Sequence, residues 1–175
     1  MQKITDHDTK AQEAYWHKLT QFKFDLFYYS LQFSFCVKTM RRIRITSAVL
    51  TALVTGAWMN WHELTQVSLT CAIIILVLQA ISAGAELLPY DKRKQEIREL
   101  LNLLGPVYDE MEADWLKISD GQFTKADIQN KTYEYAAKQR DIHQHFFKDD
   151  ALPEKKKLEK KADAETSAYF KMMFQ

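Results

Sequence analysis

Two histidines two residues apart, in "HQH" at His143–His145, are among the few side chains of this chain whose types and spacing suggest chemistry. A zinc site needs imidazoles that converge on one point. On a helix, positions i and i+2 lie on different faces, so the pair makes a poor ligand set and no metal site is expected. Asp141 and His145, at i and i+4, are spaced for a surface pair instead. His17 and His62 are isolated. Cys36 and Cys71 fall in different zones of the chain and read as packing residues rather than a disulfide. No phosphate loop, nucleophile elbow or Cys-x-x-Cys pair occurs. The chain reads as non-enzymatic, without catalytic, metal or cofactor-binding residues.

Polar groups set among apolar ones are the better lead. Ser47, Thr51 and Thr55 recur every four residues, beside Ala48, Ala52 and Gly56 at the same spacing. Further on, Ser68, Ala72, Gln79, Ala83 and Glu86 fall along one side of a second apolar segment. Small residues at i and i+4 let membrane helices approach closely, and hydroxyls bond across the contact. The other reading is a pore lining, because an amide such as Gln79 in hydrocarbon needs a partner or water. Two helices per chain cannot enclose a path, so that reading requires a homo-oligomer.

Charge distribution indicates which elements would position these groups. A length of 175 residues fits one domain, and a net charge of +1 gives no reason to expect nucleic acid. All 24 Lys and Arg lie outside residues 45–91, a window whose charges are Glu63, Glu86 and Asp91. Ile45–Trp61 and Leu64–Ala85 are uncharged, and a bilayer core needs about 20 residues of helix, with a range of about 17–25. "RRIR" at Arg41–Arg44 and "KRK" at Lys92–Lys94 flank the pair, while the turn between the runs has no Lys or Arg. That is the positive-inside pattern of a hairpin, with Trp58, Trp61 and Tyr90 as interfacial aromatics. The polar start "MQKITDHDTKAQEAYWHK" does not read as a signal peptide.

The rest is patterned as helix. Tyr15, Leu19, Phe22, Leu26, Tyr29, Phe33, Cys36 and Met40 alternate by four and three, a heptad seam. Ile97, Leu101, Leu104, Tyr108, Met111, Trp115 and Ile118 repeat that spacing, with Pro106 expected to kink the helix. The two seams are expected to pack as an antiparallel stalk. Phe24, Phe27, Tyr28 and Phe35 lie off the first seam and suggest a second contact, with later helices or with another subunit. Gly121 marks a loop, Thr124 to Asp127 a capping sequence, and a helix is predicted from about Lys125 to Phe147. Pro153 is placed to open a last helix with Leu158, Ala162, Glu165, Tyr169 and Met172 on one face. Its "EKKKLEKK" run reads as a solvated face, with anionic headgroups as a second reading.

The predicted fold is an all-α membrane protein: a transmembrane helical hairpin with long amphipathic cytoplasmic helices forming a bundle. Its parts are an amphipathic helix at 1–44, spans at 45–61 and 67–88 joined by an extracytoplasmic turn at 62–66, and cytoplasmic helices at 89–175. Localisation follows as the inner membrane, with both termini cytoplasmic and the lipid bilayer as a partner.

On "KTMRRIR", the hairpin and "LLPYDKRKQEIRELLNLLGPVYDEMEADWLKI", the chain resembles the SLATT-type two-transmembrane effectors over nearly its whole length. The resemblance implies an anti-phage effector that forms pores or disrupts the inner membrane. Its partners would be a second-messenger synthase, nucleotide sensor or reverse-transcriptase system encoded nearby. A non-catalytic membrane scaffold that recruits a cytoplasmic partner through its aromatic helices is the alternative.

Overall fold

The computed structural model describes residues 6–60, 73–74, 76–77, 90–147 and 155–174. Among them lie four helices: α1 (Asp6–Asn60), α2 (Tyr90–Ser119), α3 (Lys125–Phe146) and α4 (Lys156–Phe174). The chain divides into two compact units, Met1–Phe33 with Glu96–Gln175, and Ser34–Gln95.

The membrane hairpin is corrected by these helices. Among the described residues no helix is long and apolar enough to cross a membrane. α1 runs through the expected boundary at residue 44 without a break. Its described part after Arg44 is shorter than the minimum of about 17 residues and carries Thr46, Ser47, Thr51, Thr55 and Gly56. A gap in Lys and Arg is not itself a span of sufficient length and apolarity. The transmembrane fold class, the multi-pass inner-membrane placement and the pore-forming description therefore lack their structural basis. Most of the second expected span, including Ser68, Gln79 and Glu86, lies outside the described residues. Of that run, Ile73, Ile74, Leu76 and Val77 are described, and they are helical and exposed.

The first unit is a helical bundle built on the aromatic seam of α1. Ala11, Tyr15, Leu19 and Phe22 are buried in one cluster with Leu100, Leu104, Tyr108, Met111 and Ile118 of α2, Ile128 and Tyr135 of α3, and Phe170 of α4. Spacing by four and three puts these side chains on one stripe of each helix, which is why four amphipathic helices can share one core. α2 continues through Pro106 as a single helix. It ends at Gly121, whose φ of 73° is a left-handed conformation that glycine adopts without a Cβ penalty. There the amides of Gly121 and Gln122 donate back to the carbonyls of Ile118 and Lys117, both at 3.0 Å. The expected capping sequence then starts α3. Asp127 N–H donates to Thr124 Oγ1 at 3.3 Å, and Thr124 N–H donates to Asp127 Oδ2 at 3.1 Å. α3 closes when the Phe147 amide donates to the His143 carbonyl at 2.9 Å. α4 buries Ala162, Thr166 and Phe170, one residue off the expected face, so that Tyr169 is half-buried and Met172 is exposed.

Candidate functional site

Two regions could carry function, one in each unit. In the second unit, α1 continues as a helix with several exposed aliphatic side chains. Ile45, Val49 and Leu53 follow at four-residue spacing and are 52%, 53% and 63% exposed. Ser47 and Leu50 are half-buried, and Thr51 is exposed. The Thr51 hydroxyl donates to the Ser47 carbonyl at 2.9 Å, so it is engaged within its own helix. Thr55 lies on the same helix, toward its end. This surface can associate with apolar groups and has no charge after Arg44 with which to select an ionic partner.

In the first unit the predicted stalk residues converge. Tyr15, Leu19, Phe22, Leu104, Tyr108 and Met111 are buried together, with Leu26 and Trp115 packed against them. Leu101 is half-buried, while Leu100 is fully buried in its place. Two of the aromatics off the first seam meet later parts of the same chain: Phe27 meets Tyr169 edge-on at 6.3 Å, and the Tyr28 hydroxyl accepts from the Lys155 amide at 3.3 Å; Phe24 stacks on Tyr28 of its own helix, and Phe35 is exposed.

Polar groups orient this core. Tyr15 Oη donates to the Met111 carbonyl at 2.8 Å, and Tyr135 Oη donates to Asp114 Oδ2 at 2.8 Å. Lys131 and Lys117 each lie 3.2 Å from Asp114. Burial pushes the Asp114 carboxyl up, but the hydrogen bonds from Tyr135, Lys117 and Lys131 outweigh it and hold the group below its ordinary value. Between α1 and α3, Gln139 Nε2 donates to Asp25 Oδ2 at 2.7 Å. Burial there raises Asp25 to about 6, against the opposing effects of Lys18 and Gln139. His143 lies inward against Tyr29 and Phe147, whereas His145 is exposed beside Phe146, so the two rings of "HQH" do not converge. Among the described residues no group of three or more His, Cys, Asp or Glu is placed to hold a metal ion.

Asp25, Asp114 and Gln139 escaped the sequence reading because they are polar residues at half-buried or seam positions. Asp114 carried one available signal: it follows Met111 by three and precedes Ile118 by four, so it fits the heptad as well as Trp115 does.

Comparison with known proteins found no matching family model, curated protein or solved structure. The resemblance to SLATT-type proteins thus rests on the sequence segments quoted above.

Proposed function

We propose that the protein is a non-catalytic helical scaffold that assembles with further copies of itself through the distal part of α1. The observation that carries this is the row Ile45, Val49 and Leu53, each more than half exposed on successive turns of an uncharged helical stretch. Contiguous apolar surface of this kind marks interaction sites. With no charge to match, the face has little means of choosing an unlike partner, and a symmetric contact between copies is the commonest solution. An effector role of the kind the SLATT resemblance implies is compatible with such an assembly, but a pore forms no part of the proposal.

The contact is tested by disulfide trapping. With Cys36 and Cys71 replaced by Ala, Val49→Cys should cross-link two copies rapidly under mild oxidation, because a disulfide requires Cα atoms within about 7 Å. Leu116→Cys, on an exposed part of the bundle, should not cross-link. Equal trapping at both positions would reject a defined contact at Val49.

A further inference from the structure

Among the described residues, α4 packs on the other helices with Ala162, Thr166 and Phe170 buried and Tyr169 half-buried. Two of its buried positions, Ala162 and Thr166, are small, and the Thr166 hydroxyl donates to its own helix at the Ala162 carbonyl, 2.8 Å away. The large anchors are Tyr169 and Phe170. Phe170 meets Trp16 edge-on with ring centroids 4.9 Å apart.

Tyr169 belongs to an aromatic enclosure around a lysine of α1. Lys23 Nζ lies 3.8 Å from the Tyr169 ring centroid, 4.2 Å from that of Tyr108 and 5.5 Å from that of Phe27. The hydroxyls of Tyr108 and Tyr169 both donate to Glu112 Oε1, at 2.9 and 2.6 Å. One carboxylate thus fixes the edges of two rings whose faces hold the ammonium, and the arrangement joins α1, α2 and α4. Ring faces carry negative charge density and attract a cation most strongly where water is excluded. Two effects oppose each other at Lys23. Burial pulls the ammonium below its ordinary value, while Glu112 and Asp109 push it up.

We infer that Lys23 is a charge-dependent clasp and that α4 is a strap it holds shut, so that neutralising this one side chain frees α4 while α1, α2 and α3 stay packed. Release uncovers Trp16 and Phe27 on α1, the rings that Phe170 and Tyr169 meet. The design separates two roles within the bundle. Tyr15, Leu19, Tyr108 and Met111 hold α1 to α2 through deep burial. The large side chains of α4 in contact with the other helices are Tyr169 and Phe170, with the Lys23 ammonium against the first.

Hydrogen exchange of the full chain, followed by mass spectrometry, tests the inference, because it reports opening of each helix separately. Lys23→Met keeps an apolar stem of similar length and removes the charge. It should raise exchange in 162–170 at least tenfold and leave 128–139 of α3 within twofold of the parent. Lys23→Arg retains a cation over the rings and should keep α4 near the parent rate. Unchanged or slower exchange of α4 in Lys23→Met would show that the buried charge costs more than the rings return, and would overturn the clasp. Equal opening in Lys23→Arg and Lys23→Met would assign the effect to the shape of the stem and overturn it as well. Opening of α3 together with α4 would mean that Lys23 supports the whole bundle, and the strap would be rejected.

Discussion

Between Ala11 and Phe22, the seam of α1 is buried against α2, α3 and α4, whereas between Ile45 and Leu53 the same helix exposes aliphatic side chains at four-residue spacing. The backbone is continuous, so the difference lies in what the side chains can do. Aromatic seam residues carry edges and hydroxyls that pair with specific groups, as Tyr15 does with the Met111 carbonyl. Such pairing fixes orientation within one chain. Ile45, Val49 and Leu53 carry no polar handle, so their surface can be buried without a set partner geometry. On the proposed reading, one helix serves two ends: folding in its first half and association in its second.

The sharpest way to break this contrast is to remove bulk from each half. Leu104→Ala in the buried seam should destabilise the bundle by about 2–5 kcal/mol, read by denaturant unfolding. Leu53→Ala, at 63% exposure, should leave that unfolding curve nearly unchanged and weaken association instead. Similar unfolding losses in both would erase the distinction.

The next effect depends on pH. Burial raises Asp25 to about 6, so the folded chain binds this proton more tightly than the unfolded chain, where an aspartate titrates near about 4. Its contribution to stability is full below about pH 4 and is lost as pH rises through about 6. His143 runs the other way. Burial, then Lys18, lowers its value, so its contribution is lost as pH falls below about 6.5. Asp25→Asn keeps an acceptor for Gln139 and should stabilise the protein at pH 7 by on the order of 1–3 kcal/mol, with the gain vanishing near pH 4. A gain independent of pH would show that Asp25 does not titrate as described.

Smaller losses should follow at polar anchors. Tyr135→Phe removes one bond to Asp114 but leaves Lys117 and Lys131 in place, for a cost of about 1–2 kcal/mol in thermal or denaturant unfolding. Thr124→Ala removes the side-chain cap of α3 and should cost about 1 kcal/mol. Losses above those of Leu104→Ala at either position would mean that the core is organised by its polar groups rather than by its seam.

The parts legible in the sequence were those governed by local periodicity. The four-and-three spacing named Tyr15, Leu19, Phe22 and Cys36 among the buried residues of α1 but not Ala11 or Gln32, and it named most of those of α2; Thr124 with Asp127 marked where α3 begins. The seam names Leu101 where Leu100 is the fully buried residue, because both fit the heptad equally well and packing against neighbours decides between them. The membrane reading failed for a different reason. Charge asymmetry around residues 45–91 is a long-range inference, whereas spanning depends on continuous length and apolarity within one helix. The surroundings of Lys23, Asp25 and Asp114 were illegible because each draws partners from helices distant in sequence.

The central claim, that the exposed distal row of α1 joins copies of the chain, is tested most directly by solution mass from light scattering across a dilution series. The parent should show a defined mass above that of one 20.6 kDa chain, Val49→Glu should shift it toward the single chain, and Leu116→Glu should leave it unchanged. A single-chain mass for the parent at all concentrations, or an identical assembly in Val49→Glu, would contradict the account.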